Sequence, residues 1–243
     1  MKGLFRSTLF WMVIVALLLP FVEMVLPREW RLANLMRPVF ILAVLGLGLN
    51  IVTGFTGLLN LGIAAFMAIG AYSYAILSCE IFPFQLGFWL SALGAAVIGG
   101  VFGLLLGLPT LRLRGDYLAI VTLGFGEIVQ DVLRNLDVIT RGTQGINPLP
   151  PPALFGIVFT ADSPLPWYYL FLALLSLLVI LSLNLEHSRI GRNWTAIRED
   201  ELAASCMGVN TTLSKLLAFS LGAALAGFAA VAEYPPTESS PPG

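Results

Sequence analysis

The chain has 243 residues, of which 58% are hydrophobic and only 11% are charged. Soluble domains carry a charge on about a quarter of their residues, so this composition excludes an ordinary soluble protein. The formal net charge of -1, with few and scattered basic residues, gives no support to a nucleic-acid partner. Uncharged runs extend over 38–79, 81–111 and 163–185, and about 20 apolar residues let a helix span a bilayer. The sequence therefore predicts a membrane protein.

The predicted elements are helices that cross the lipid bilayer, about seven in all. They lie near residues 8–26, 37–53, 60–78, 88–110, 117–134, 165–185 and 214–232. We expect the first of them to remain as a span, because no small-x-small cleavage site of a signal peptide follows it. The predicted fold class is an all-α, polytopic transmembrane helical bundle, with residues 1–232 forming one transmembrane domain.

A break is expected where the second span meets the third. Thr53, Gly54, Thr56 and Gly57 interrupt the long apolar run at this point. Glycine in particular weakens the continuity of a helix. We therefore predict a broken or re-entrant element near residues 53–60.

Five polar residues of the predicted spans are candidates for a solute path: Asn50, Thr53, Thr56, Asn60 and Glu127. A polar group buried in hydrocarbon without a partner costs about 2–7 kcal/mol. The amides and hydroxyls therefore bind either a solute in transit or a neighbouring helix, and the sequence leaves both interpretations open. Glu127 indicates that its helix either lines a polar interior or emerges early into water, because ionisable groups at membrane depth normally face a cavity or a polar partner.

The orientation of the chain follows from arginine and lysine in the short loops, which favour the cytoplasmic side. These residues occur before the first span, after the fourth and after the sixth. This distribution places the N-terminus and the loop 186–215 in the cytoplasm, although Arg28, Arg31 and Arg37 fall in the first outside loop. The polar, proline-rich tail 233–243 cannot bury an apolar face and is expected to be disordered.

The loop 186–215, which we call the charged loop, holds 8 of the chain's 27 Asp, Glu, Lys and Arg residues. Apolar stretches long enough to be buried flank it on both sides. Its sequence predicts short helical turns with a face of small residues, ending at Gly208. A charged loop of this kind, between two membrane spans, can bind a soluble partner.

The sequence carries no motif of a chemical site. It has no phosphate-binding glycine loop followed by Lys and Ser or Thr, and no Ser/His/Asp, paired-carboxylate or zinc-ligand pattern. We therefore expect a chain that is not an enzyme, has no catalytic residues and binds no metal or cofactor. Any energy input must come from a partner or from an ion gradient.

Three blocks of sequence, in order, resemble the permease subunits of bacterial high-affinity branched-chain amino acid ABC importers. They are Leu49–Tyr72, Leu111–Ile128 and the charged loop, and the resemblance covers about residues 40–230. Of the two paired permeases of that family, the second and third blocks resemble the M-type subunit. Members of the family continue past the position of Ala232 with further spans, so we expect this chain to be truncated at its C-terminus.

The resemblance implies a permease subunit of an ATP-binding cassette importer in the bacterial inner membrane, which forms the translocation path for branched-chain amino acids. It implies as partners a sister permease subunit, two ATPase subunits that hydrolyse ATP, and an extracytoplasmic solute-binding protein. Three alternatives remain open from the sequence. They are a permease for urea or short amides, a proton-coupled secondary carrier with Glu127 as the proton site, and a structural membrane subunit without a transport path.

In this family the charged loop would serve as the coupling helix that a groove on the ATPase receives. Small residues at Ala203, Ala204 and Gly208 would permit close docking. The implied partners of the groove's rim are Arg198, Glu199, Asp200 and Glu201. The match to the importers' Glu-Ala-Ala-x-x-x-Gly signature is loose, because alignment on Gly208 puts Leu202 in the place of the glutamate.

Overall fold

The computed structural model describes residues 32–79, 83, 85–110, 116–136, 140, 146, 153–154, 157–158 and 164–233. The predicted span 8–26 and residues 234–243 of the predicted tail lie outside this set.

The described residues form eight α-helices, and the all-α prediction is confirmed. The helices are α1 (Leu32–Leu49), α2 (Ile63–Ser78), α3 (Phe88–Thr110), α4 (Asp116–Asn135), α5 (Pro164–His187), α6 (Arg189–Glu199), α7 (Glu201–Cys206) and α8 (Thr211–Ala229). A π-helix, Asn50–Phe55, continues α1, and a 3₁₀ turn, Ala230–Glu233, follows α8. Between α4 and α5, two short antiparallel strands, β1 (Ala153–Leu154) and β2 (Ile157–Val158), pair Ala153 with Val158.

Each of the six predicted spans after residue 37 coincides with a helix. In the described part, four segments are long and apolar enough to cross a membrane by length and composition: Pro38–Phe55, Phe88–Pro109, Pro166–His187 and Thr211–Ala232. Helix α2 is apolar but has only 16 residues. Helix α4 has 20 residues and carries charged side chains in its second half, among them Glu127 and Asp131. These two helices therefore differ in character from the four long spans.

Helix α8 lies at the centre and packs against α1, α2 and α3. Glycines make the close approach possible, because a Cβ at Gly70 would lie 2.3 Å from Gly227 Cα, and a Cβ at Gly103 would lie 2.8 Å from the Phe219 carbonyl oxygen. Close packing between small residues holds helices together in lipid, where apolar burial supplies little driving force. The contact of α8 with α2 and α3 is therefore a contact between backbones.

The variant Gly70→Ala is expected to destabilise the protein by about 1–3 kcal/mol, because its new methyl group would overlap the backbone of Gly227. The matched control is Gly46→Ala on α1, where a Cβ meets open space, and its effect should stay below about 1 kcal/mol. Thermal unfolding in detergent measures both changes. Equal shifts of the unfolding temperature would contradict this packing.

Aromatic side chains attach α5 to the rest of the bundle. The rings of Phe40 on α1 and Phe171 on α5 are stacked with centroids 4.8 Å apart. Trp167 lies 5.4 Å from Phe171, and Phe228 of α8 lies 6.5 Å from Phe40. Such pairs contribute about 0.5–1.5 kcal/mol each beyond their buried area, so this cluster fixes the position of α5 on α1.

Candidate functional site

The first described span breaks in its second half, and the prediction of a broken element near residues 53–60 is confirmed. The π-helix Asn50–Phe55 leads to Gly57, which has a φ of +72°. From residue 58 to Gly62 the backbone is not helical, and α2 begins at Ile63. We call residues 50–62 the break. A positive φ is readily adopted by glycine alone, and π-helical turns often accompany functional sites.

The far end of the break is attached to the middle of α4. The Leu61 amide donates a hydrogen bond to Thr122 Oγ1 at 3.1 Å. A Cβ at Gly62 would lie 2.5 Å from the Thr122 carbonyl oxygen, so only glycine permits this approach. The Gly62 amide donates to Asn60 Oδ1 at 3.0 Å and closes a local turn. The break and α4 therefore form one connected unit.

Four of the predicted path residues lie in the break and divide into two pairs. Thr56 and Asn60 are buried, and both bond inside the chain, Thr56 Oγ1 donating to the Val52 carbonyl oxygen. These contacts favour the interpretation in which the two side chains bind other parts of the protein and not a solute. Asn50 is exposed and Thr53 is half-buried, so these two side chains are the ones available to a solute.

The fifth predicted path residue, Glu127, lies on α4 and is exposed, as is Asp131 one turn later. Helix α4 contacts α2 through other residues, with the rings of Phe125 and Phe66 5.6 Å apart. The two carboxylates, four residues apart, share one side of the helix. In the part of the chain described here, no group of three or more His, Cys, Asp or Glu side chains is arranged to hold a metal ion.

The charged loop folds as short helices with a cap at each start. Ser188 Oγ accepts a hydrogen bond from the Gly191 amide at the start of α6. Asp200 Oδ1 accepts from the amides of Leu202 and Ala203 at the start of α7, and Asn210 Oδ1 caps α8. Side-chain caps satisfy the free amides of a first turn and contribute about 1 kcal/mol each. The charged loop is therefore an ordered structure.

Helix α7 ends in the motif that glycine favours. Gly208 has a φ of +85°. The Val209 amide donates to the Ala204 carbonyl oxygen, and the Gly208 amide to that of Ser205, both at 3.1 Å. These two bonds are those of a Schellman motif, and they confirm that the predicted helical turns end at Gly208.

Two side-chain contacts attach α6 and α7 to the start of α8. Trp194 of α6 is fully buried, and its Nε1 donates to the Ser214 carbonyl oxygen at 2.7 Å. Lys215 Nζ lies 2.5 Å from Glu201 Oε1, with side-chain exposures of 5% and 34%. A buried ammonium group is stable only when it is paired, so this ion pair fixes α7 on α8.

A third contact joins the charged loop to the break. Arg198 Nη1 donates to the Gly54 carbonyl oxygen at 2.7 Å, across 144 positions of sequence. Beside it, the ring of Phe55 stacks on Trp194 with centroids 6.2 Å apart. From the sequence, Arg198 was predicted only as a contact of a partner, as the resemblance implies. Trp194 was not predicted as a site residue. A large aromatic side chain in a charged loop was the feature from which its burial could have been predicted.

The outer side of the loop carries large apolar side chains. Leu202 in the first turn of α7 is 75% exposed, and Met207 directly after α7 is 84% exposed. We call α7 with these two side chains the apolar tip. Neither residue was predicted as a site residue from the sequence, although two large apolar residues among charged ones were a signal for an exposed contact.

The seven residues that the resemblance assigned to the coupling loop face in different directions. Arg198 and Glu201 bond inside the chain, Ala204 is buried, and Asp200 caps α7. Arg198, Glu199, Asp200, Ala203 and Gly208 are exposed, and Glu201 is half-buried. A partner can therefore reach these five exposed residues and the apolar tip.

Curated proteins similar to this chain are permeases. It is 45% identical over 207 residues to the high-affinity branched-chain amino acid transport system permease protein LivM of Salmonella typhimurium. The identity to LivM of Escherichia coli (strain K12) is also 45%, over 208 residues. Each match covers 76% of this chain and 48% of the relative, so the chain spans about half the length of these proteins. LivH of Escherichia coli (strain K12) is 27% identical over 206 residues, 78% of this chain and 65% of LivH.

The greater identity to LivM than to LivH agrees with the resemblance to the M-type subunit. No solved structure matches the chain with significance. The family described as branched-chain amino acid transport system / permease component matches residues 31–243. The chain therefore belongs to this family of membrane transport permeases.

Proposed function

We propose that this chain is a permease subunit of an ATP-binding cassette importer, which forms part of the path for branched-chain amino acids through the bacterial inner membrane. One observation carries the proposal beyond the family: the charged loop exposes the apolar tip and also bonds to the break through Arg198. When a soluble partner displaces a loop of this kind, the displacement is transmitted to the broken span.

The apolar tip is the docking point for an ATPase subunit. Leu202 and Met207 are exposed in a loop that carries capped helices and charged side chains. Burial of apolar side chains at the centre of an interface, with polar groups around them, stabilises protein complexes. Glu199 and Asp200 are exposed beside the tip and form its polar surround.

The break and α4 form the part of the solute path that this chain supplies. Broken helices leave backbone groups and helix ends free, and transporters use such groups to bind solutes. Asn50 and Thr53 on the break and Glu127 on α4 have side chains available for hydrogen bonds. A sister permease of the same family supplies the opposite wall, and an extracytoplasmic binding protein delivers the amino acid.

The energy comes from ATP hydrolysed by the two ATPase subunits. Closure of the ATPase pair around nucleotide moves the charged loop, and the broken span rearranges to open the path to one side at a time. The chain itself makes and breaks no covalent bond. The N-terminus and the charged loop lie in the cytoplasm, as the arginine and lysine distribution indicates.

The uptake experiment uses the chain reconstituted in proteoliposomes with its sister permease, both ATPase subunits and the binding protein. Labelled leucine should accumulate only with ATP on the side of the charged loop, and unlabelled isoleucine or valine should compete. Uptake without ATP that follows a pH gradient would favour the proton-coupled carrier. Competition by urea or acetamide in place of the branched-chain amino acids would favour a permease for short amides.

A further inference from the structure

The end of the π-helix Asn50–Phe55 leaves a carbonyl group that the backbone does not satisfy. The amides that follow bond earlier in the chain, Gly57 to the Thr53 carbonyl oxygen at 3.2 Å and Leu58 to that of Val52 at 3.4 Å. The last carbonyl groups of any helix lack partners within the helix. Gly54 is one of them, and its oxygen accepts its hydrogen bond from Arg198 Nη1.

The charge of Arg198 suits this position. The C-terminal end of a helix carries a partial negative charge, which a cation stabilises, and hydrogen bonds from a charged donor are stronger than neutral ones. The aliphatic part of the side chain also fits, because a Cβ at Gly57 would lie 3.1 Å from Arg198 Cγ. Gly57 therefore leaves room for the arginine that reaches Gly54.

The break is held at both ends by different parts of the protein. At one end lie Arg198 and the stacked pair of Phe55 and Trp194, all connected to the charged loop. At the other end, the Leu61 amide bonds to Thr122 of α4. A displacement of α6 must either carry the Gly54 carbonyl group with it or leave that group without its donor.

We propose that Arg198 is a positioning residue that caps the broken helix and transmits movement of the charged loop to the solute path. This inference rests on the proposed function and adds the residue through which the coupling passes. It also changes the role implied for Arg198, from a contact of the ATPase to a contact within the permease. The apolar tip binds the partner, and Arg198 links the loop to the break.

The test measures leucine transported per ATP hydrolysed by the reconstituted complex. Arg198→Met should lower this ratio about tenfold, because the charged donor to Gly54 is lost. Arg198→Lys keeps a cation at the same place and should recover at least about a third of the native ratio. The matched control is Arg192→Met on the same helix, since Arg192 donates to the nearby His187 carbonyl oxygen at 3.0 Å and not to the break. Its ratio should stay within about twofold of native.

The ratio separates coupling from folding, because a purely structural defect lowers uptake and hydrolysis together. An unchanged ratio in Arg198→Met, or an equal fall in Arg198→Met and Arg192→Met, overturns the role of Arg198 while native uptake upholds the proposed function. If the native complex shows no ATP-dependent uptake of leucine, the proposed function fails and this inference fails with it.

Discussion

Replacing both Leu202 and Met207 by lysine is expected to weaken the binding of the ATPase subunits by about a hundredfold or more. Full burial of one large apolar side chain contributes about 1.5–3 kcal/mol, and both residues lie exposed at the apolar tip, ready to be buried by a partner. Each 1.4 kcal/mol changes an equilibrium constant tenfold. The measurement is titration of the purified ATPase onto the detergent-solubilised permease.

The control for this prediction places a lysine elsewhere on the same loop. Thr195 is exposed on α6, and Thr195→Lys should leave ATPase affinity within about threefold of native, because a single exposed charge has a small effect. If the variant with lysine at both Leu202 and Met207 binds the ATPase as tightly as Thr195→Lys does, the ATPase binds another surface.

The second large effect concerns the ion pair between Glu201 and Lys215. Glu201→Leu leaves the ammonium group of Lys215 buried and without its partner, since the lysine side chain is only 5% exposed. Loss of one member of a buried pair costs about 3–5 kcal/mol, and the partial exposure of Glu201 puts the expected value at the lower end. Hydrogen exchange of the α6 and α7 amides reports the opening of this local unit and should accelerate about a hundredfold.

The double variant Glu201→Leu/Lys215→Leu separates the ion pair from simple loss of contact. It removes both charges, and replacing a buried pair by apolar residues is often nearly neutral. Its exchange rates should therefore return close to native. Glu199→Leu, which removes an exposed carboxylate two residues earlier, should also be near native. Equal acceleration in the single and double variants would contradict this account of the pair.

The helices and the break were predictable because their causes are local. Long apolar runs set the four apolar spans, and the Thr and Gly residues at 53–57 marked the place where the π-helix ends. The end of α7 was predictable for the same reason, since a glycine after a short helix favours the left-handed conformation that Gly208 adopts.

The direction of each side chain in the charged loop was not predictable from the sequence. Helix α7 has only 6 residues, and so short a helix gives too few turns for a hydrophobic period to show which side is buried. The resemblance grouped Arg198 and Glu201 with Glu199 as contacts of a partner, whereas in the fold the first two bond within the chain, to Gly54 and Lys215. The bond from Arg198 to Gly54 joins residues 144 positions apart, and no local pattern reports such a contact.

Cross-linking from Cys206 tests the central claim most directly. The chain has two cysteines; Cys206 is exposed on α7 and Cys79 is buried, so a maleimide-linked photoreactive group attaches selectively beside the apolar tip. In the complete complex, illumination should join this chain to an ATPase subunit, and the paired variant Cys206→Ser/Thr195→Cys should give far less product. Cross-links from Cys206 only to lipid or to the extracytoplasmic binding protein would contradict the claim that the charged loop receives the ATPase.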